Sequence, residues 1–562
     1  MRRLKIFYGV LIIFSAFDLH YVTAEVFASM ADVETLINTE KLVLGTLQNL
    51  LQQERQKLAE ALRYTKQIRN GTSNGSATAI ASDELENPVK MFQTLKQHSS
   101  DFSNVIDSAS ADTFTDRNRS IQKLRMSRAF PDKEDIEGNA DAFARLQLTY
   151  RIHPQDIARG RIPGTRPTMP FTSREAFIIG HNQAGNKYFN SAAAWLQVAL
   201  EIYHEEVEKT GDLPEILDWL QYAIYQDTGN AVRALEITRQ VQELDPTYPS
   251  LQTNINFYEE AIPKLTDEEL AVFRNAPDAT EAFDTNSLDY VNETNAAYEA
   301  LCRGEERLTP AQTRELKCYY ETHGNPYLLI QPVKVEMLSK DPEIFVLHNV
   351  IFDSQADRIR KVGYDHLMRG RVMDGKEARG SVSKVRIAKI AFLTEAVDPV
   401  IAEVNRYIGH ATNLDINIAE DLQINNYGIG GHYSVHYDFF TNLHDLSTTN
   451  GPVVNFTNWG DRIATFLAYM TDVEAGGATV FPRINLTLFP EKGSAAFWYN
   501  KFKDGQPDPR TLHAGCPVLS GIKWVSNKWI REHGQDRQRP CGLAPDGFED
   551  LIGVLDGYGD GY

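Results

Sequence analysis

The stretch "GGHYSVHYDFF" (430–440) places His432, His436 and Asp438 within seven residues. Two histidines and one carboxylate on one face of Fe(II) leave three coordination positions open for a co-substrate and oxygen. The two neighbouring ligands of such a set arrive as H-x-[DE], because residues two apart on a strand return to the same face. The triplet by itself is weak. With 14 His and 76 acidic residues in 562, about two such triplets are expected by chance. The other one, His204-x-Glu206, lies in a helical pattern, where i and i+2 do not share a face. His436-x-Asp438 instead follows a Gly-Gly turn in a β-rich region. A third ligand must come from a distant strand, and His513 in "TLHAGCPVL" is the best placed, with His444 and His533 as alternatives. An anionic co-substrate at such a metal needs a buried cation. Lys523, in "GIKWVSNKW", follows His513 by ten residues.

The elements that must position these groups begin near Val335. "SVSKVRIAKIAFL", "RIATFLAYMTDV", "SAAFWYNKF" and "GIKWVSNKWI" are short alternating segments separated by Gly, Asn and Asp turns. That spacing predicts an antiparallel sandwich or barrel over 336–542. Upstream the pattern is helical. From 25 to about 66, Leu36, Val43, Leu47, Leu50, Leu51, Leu58 and Leu62 recur at three-to-four spacing, and "NGTSNGSATAIAS" (70–82) breaks the helix. Such a stripe wants a partner helix, in this chain or in a second subunit, so 25–150 reads as a helical, coiled-coil-like region. Residues 151–262 read as paired helices of tetratricopeptide type closing on Asp-Pro. Tyr188, Trp195, Tyr222 and Tyr225 are expected to be exposed there and able to stack on a proline-rich segment in polyproline II. Residues 263–335 read as an acidic connector, and 543–562 as an acidic tail.

The net charge of −19 argues against a nucleic-acid partner and against docking on an anionic membrane. Residues 1–24 have a basic start, an apolar run of twelve and a "VTA" junction, the pattern of a secretory signal. No later run is long and apolar enough to span a bilayer. In an oxidising lumen the close pairs Cys302 with Cys318 and Cys516 with Cys541 suggest two short-loop disulfides, although four cysteines allow three pairings. Asn70, Asn74, Asn118, Asn292, Asn455 and Asn485 head glycosylation sequons. The C-terminus carries no K-D-E-L signal.

The blocks "YGIGGHYSVHYDFF", "RIATFLAYMTDVEAGGATVFP", "KGSAAFWYNKF" and "HAGCPVLSGIKWVSNKWIREHGQ" resemble the catalytic domain of collagen prolyl 4-hydroxylase α subunits. "NADAFARLQLTYRI" and 171–262 are similar to that family's peptide-substrate-binding region, and the N-terminal helix to its dimerisation region. The resemblance implies an α+β multidomain chain ending in a double-stranded β-helix (jelly-roll) dioxygenase. It assigns Fe(II) to His436, Asp438 and His513, and the distal carboxylate of 2-oxoglutarate to Lys523. Tyr427 and Thr479 fall in the co-substrate-lining blocks, while His432 falls at a position the family does not use as a ligand. The implied reaction consumes O2 and 2-oxoglutarate, with ascorbate as cofactor, and converts peptidyl proline in X-Pro-Gly sequences to 4-hydroxyproline. The resemblance also implies the disulfides Cys302–Cys318 and Cys516–Cys541. It further implies an α2β2 tetramer with protein disulfide isomerase, and retention in the endoplasmic reticulum lumen through that partner. "KYFNSAAAW" lacks the family's adjacent tyrosines, and 441–461 is an unusual loop; both bear on substrate preference. A paralogue acting on other secreted proteins, or a silent peptide-binding subunit, are the competing readings. Lysyl hydroxylases, which share the fold, usually carry Arg where Lys523 stands.

Overall fold

The segments "RIATFLAY" and "KWVSNKWIR" carry large side chains on both faces, so each must be covered on both sides, as central strands are. A computed structural model describes residues 26–51, 87–96, 99, 131–283, 293–305, 308–372, 381–382, 386–440 and 459–542. The signal segment, the 70–82 break, His444, five of the six sequons and the tail lie outside the described residues. In chain order the strands of the two main sheets are β1 (Cys318–Glu321), β2 (Val333–Lys340), β3 (Glu343–His348), β4 (Met368–Arg369), β5 (Lys389–Leu393), β6 (Leu422–Tyr427) and β7 (Tyr433–His436). They continue with β8 (Arg462–Tyr469), β9 (Thr479–Phe481), β10 (Leu486–Leu488), β11 (Ala495–Tyr499), β12 (His513–Gly515) and β13 (Lys523–Arg531).

The nine-stranded sheet runs β1-β2-β3-β11-β8-β13-β6-β5-β4, and the four-stranded sheet runs β10-β9-β12-β7. Ile344, Ala496 and Trp498 of the large sheet pack with Phe481, Leu486 and Leu488 of the small one in a single buried cluster. β8 and β13 lie side by side at the centre, and β13 is buried at every residue. A strand enclosed on both faces is normally apolar throughout. Lys523, Lys528 and Arg531 inside it are therefore the residues that need a reason.

The N-terminal half is helical: α1 (Met30–Leu51), α2 (Pro88–Lys96), α3 (Lys133–Tyr150), α4 (Ser173–Gly185), α5 (Phe189–Glu205), α6 (Leu213–Thr228), α7 (Ala231–Leu244) and α8 (Leu251–Ala261). Local sequence sets their ends. Asp132 and Thr172 head capping boxes, Asp212 and Asn230 cap α6 and α7, and Gly229 closes α6 in the left-handed region. The first part of the α1 stripe is spent inside this chain, since Val33, Leu36, Ile37 and Val43 are buried; side chains from 45 onward lie outside the description. The start of α1 docks on the large sheet. Ser29 Oγ and Ala31 N both donate to Asn426 Oδ1 at 2.6 and 3.1 Å, and Asp32 pairs with Lys389 at 2.6 Å.

α3 lies on the Gly-Ile-Gly-Gly turn that leads into β7. A Cβ at Gly430, whose φ is +69°, would stand 2.5 Å from the Ala142 Cβ, so only glycine permits both the turn and the helix contact. Arg145 Nε donates to Gly430 O at 3.2 Å, and Tyr150 Oη to Pro517 O at 2.5 Å.

Two expectations are corrected here. The 263–335 segment is more than a connector: it supplies β1 and the start of β2, and its helix α9 (Glu293–Cys302) packs on β9 and β10. That packing also decides the disulfide. Cys302 is bonded to Cys516, 214 residues away, whereas Cys318 and Cys541 are exposed free thiols. The pairings Cys302–Cys318 and Cys516–Cys541 are therefore overturned. Cys302 ends a helix buried against the small sheet, while Cys318 opens an exposed strand at the edge of the large one.

Candidate metal centre and co-substrate pocket

β7 and β12 are antiparallel neighbours, and His436 and His513 stand directly opposite each other in that pair. Cross-strand partners on one face lie close enough for their side chains to meet, and the two ring centroids are 4.3 Å apart. Asp438 follows two residues after His436. Its Oδ1 lies 3.8 Å from His436 Nε2 and its Oδ2 lies 3.6 Å from His513 Nε2. Ligand atoms of the three residues all fall within 4.8 Å of one another, and no other such cluster exists among the described residues. His533 lies exposed on the turn after β13, outside this cluster.

The tautomers follow from the backbone. His436 Nδ1 lies 2.8 Å from Ser434 O, and His513 Nδ1 lies 2.9 Å from Thr511 O. A carbonyl only accepts, so each Nδ1 carries the proton and each Nε2 turns a lone pair toward Asp438. Burial, together with His513 nearby, pushes His436 down to about 3, so its ring is neutral. Burial alone would raise the Asp438 carboxyl, but the Arg462 charge and the Thr465 hydroxyl oppose that rise. Two lone pairs and a carboxylate facing one another need a cation between them. These donors, two imidazole nitrogens and one carboxylate oxygen, fit Fe(II).

Lys523 opens β13 directly opposite Tyr427 on β6, with Nζ 4.9 Å from the centre of the Tyr427 ring. Burial pushes Lys523 down to about 7. Among the described residues no acidic side chain pairs with it, and a desolvated ammonium of that kind is suited to a carboxylate ligand. Thr479 on β9 is buried and accepts a hydrogen bond from Tyr469 Oη at 2.9 Å. Gly515 sits two residues past His513 on β12, hence on the same face. A Cβ there would stand 3.7 Å from Lys523 Nζ. The bare backbone at Gly515 thus leaves room beside the Lys523 ammonium.

Several residues around this site escaped the sequence reading. Arg386 hydrogen-bonds the side chains of Gln423 and Asn425, and its guanidinium lies 4.7 Å above the Tyr433 ring. Tyr433 in turn stacks on His436 at 3.6 Å. Arg462 forms a two-toothed pair with Glu420, at 2.6 and 2.9 Å, and donates to Asp438 O at 3.4 Å. Their signal was charge embedded in strand patterns, "VRIAKIAF" and "RIATFLAY". His432 is buried, and burial holds its pKa well below the usual histidine value.

The helical aromatics divide. Tyr188 and Tyr222 are 43% and 37% exposed, and Tyr222 meets Phe189 and Trp219 edge-on. Tyr225 is half-buried against Phe257 and Tyr258. Trp195, expected to be exposed, is 0% exposed. It donates to Gln147 Oε1 at 2.8 Å and packs on Phe143 and Phe171. It is a core residue, because the face of α5 it occupies packs toward α3.

Comparisons with known proteins agree along the chain. Residues 29–164 match the family model of the prolyl 4-hydroxylase alpha-subunit N-terminal region. Residues 173–264 match the prolyl 4-hydroxylase peptide-substrate-binding domain, and 422–531 the 2OG-Fe(II) oxygenase superfamily. Prolyl 4-hydroxylase subunit alpha-2 of Gallus gallus is 36% identical over 94% of this chain and 97% of its own length. Subunit alpha-2 of Caenorhabditis elegans is 35% identical, over 95% and 96%. Subunit alpha-1 of Homo sapiens is 33% identical, over 92% and 96%. Among solved structures, the viral collagen prolyl hydroxylase of Paramecium Bursaria Chlorella virus-1, as its 2OG complex, is 23% identical with a TM-score of 0.26, covering 34% of this chain and 95% of that one.

Proposed function

The chain belongs to the prolyl 4-hydroxylase α-subunit family, and on that premise we propose that it hydroxylates peptidyl proline to 4-hydroxyproline in collagen-like X-Pro-Gly sequences. The observation that carries this reading is the cluster of His436, Asp438 and His513, whose ligand atoms lie within 4.8 Å of one another. His436, Asp438 and His513 hold Fe(II), which when bound supplies the oxygen activation that the side chains cannot. Lys523 grips the distal carboxylate of 2-oxoglutarate, with Tyr427 and Thr479 lining its path. O2 is the second co-substrate, and ascorbate the further cofactor. The two sheets are the halves of a double-stranded β-helix, whose interior excludes water from the reacting groups.

The exposed rings of Tyr188 and Tyr222, with Tyr225 beside them, suit a polyproline II segment. Such a segment offers flat ring faces and few N–H groups. A secretory signal at 1–24, an endoplasmic reticulum location and an α2β2 assembly with protein disulfide isomerase complete the reading. So do dimerisation through the N-terminal helices and a glycan on the exposed Asn485. The test is incubation of the chain, co-expressed with protein disulfide isomerase, with a (Pro-Pro-Gly) repeat peptide, Fe(II), 2-oxoglutarate and ascorbate. The expected result is a mass gain of one oxygen per modified proline and 4-hydroxyproline on hydrolysis. Turnover of 2-oxoglutarate without hydroxyproline would reject the substrate.

A further inference from the structure

A directed chain of hydrogen bonds ends on Asp438. Trp498 Nε1 donates to Asn500 Oδ1 at 2.8 Å, Asn500 Nδ2 donates to Thr465 Oγ1 at 2.9 Å, and Thr465 Oγ1 donates to Asp438 Oδ2 at 2.6 Å. All four side chains are buried. The strands dictate the arrangement. Trp498 and Thr465 are cross-strand partners of β11 and β8, and Asn500 lies two residues beyond Trp498, just past the end of β11.

The direction of the chain is forced by chemistry. An indole N–H only donates, so the oxygen of the Asn500 amide must face Trp498. The amide nitrogen then faces Thr465, whose oxygen accepts from it. The threonine has one proton left to give, and Asp438 Oδ2 is the acceptor. No rotation of the amide or the hydroxyl satisfies all three bonds in the opposite sense.

The same tryptophan braces the second ligand strand. Its ring meets the His513 ring edge-on at 4.8 Å, and Phe481 packs against both at 5.2 and 5.6 Å. We infer that Trp498, Asn500 and Thr465 are a positioning relay, which fixes the Asp438 carboxylate through hydrogen bonds and the His513 ring through the same indole. Metal affinity then depends on three residues that never touch the metal. Outer partners of this kind typically change metal affinity about 10–100-fold when removed. The inference rests on His436, Asp438 and His513 being the ligands.

The experiment titrates Co(II) into the metal-free full-length chain and follows its d–d absorption and affinity, with a thermal melt for every variant. Thr465→Val, which keeps the shape and removes the hydroxyl, is expected to weaken Co(II) about 10–100-fold and shift the band. Thr465→Ser restores the hydroxyl and is expected to restore both. Asn500→Asp cannot donate to Thr465, draws the hydroxyl proton away from Asp438, and weakens Co(II) similarly. It gives the same readout should Thr465→Val not fold. Wild-type affinity and an unshifted band in a folded Thr465→Val or Asn500→Asp chain would overturn the relay. Asp438→Ala is the separate control. Wild-type Co(II) binding in that variant would overturn the ligand assignment itself, whereas lost binding there beside unchanged Thr465→Val would condemn the relay alone.

Discussion

Lys523 and Tyr427 are cross-strand partners at the buried end of β13 and β6, with the ammonium 4.9 Å from the ring centre. The ring offers that charge its negative face, but a full carboxylate is a far better partner. Lys523→Ala is therefore predicted to raise the KM for 2-oxoglutarate roughly 100-fold, in line with truncating one half of a buried charge pair. Its Co(II) affinity should stay unchanged. Steady-state kinetics on the folded variant decide, and an unchanged KM would place the carboxylate elsewhere.

Because burial brings Lys523 to about 7, its cation is present below that pH and lost above it. The value of kcat/KM for 2-oxoglutarate, which reports the free enzyme, should fall about tenfold per pH unit on the alkaline side. Bound carboxylate favours the cation, so kcat at saturation should fall later. A flat kcat/KM profile through neutrality into the alkaline range contradicts this role.

Gly515 is predicted to be a size filter. Gly515→Val would place branched carbon against Lys523 Nζ, where a first Cβ already comes to 3.7 Å. The expected outcome is a KM for 2-oxoglutarate raised at least about tenfold, as for a filled pocket, with Gly515→Ala intermediate. Competition with shorter and longer 2-oxo diacids reads the same effect.

The Cys302–Cys516 bond predicts a labelling pattern. Under non-reducing conditions an alkylating reagent should modify Cys318 and Cys541, and peptide mapping should find Cys302 joined to Cys516. Removing that bond with Cys302→Ser should cost about 2–5 kcal/mol of stability. A map joining Cys302 to Cys318 would contradict the fold of α9 on the small sheet.

Trp195 and Tyr222 should separate stability from peptide binding. Trp195→Ala removes a fully buried indole and is predicted to cost about 3–5 kcal/mol. Tyr222→Ala should leave the melting temperature nearly unchanged and raise the KM for a (Pro-Pro-Gly) repeat. Equal loss of stability in both would deny Tyr222 a surface role.

How far the sequence carried can be argued residue by residue. His436 and Asp438 were legible because their H-x-[DE] spacing is written into the sequence, although β7 ends at His436 and Asp438 stands two residues past it. His513 was only one of three choices, since its place opposite His436 depends on strand pairing. Cys302–Cys516 was illegible for the same reason: proximity along the chain carried no information about where α9 would settle. Trp195 was misread because the helical pattern gives a face but not which face meets α3. Thr465 and Asn500 looked like ordinary strand residues, and their meaning lies in bonds between neighbours on β8 and β11.

The most direct test of the central claim is the ratio of succinate to 4-hydroxyproline formed on a (Pro-Pro-Gly) repeat by the chain co-expressed with protein disulfide isomerase. One site holding metal, co-substrate and proline predicts equal yields, with both products lost together in His513→Ala. Succinate without hydroxyproline, or hydroxyproline persisting in a folded His513→Ala variant, would contradict it.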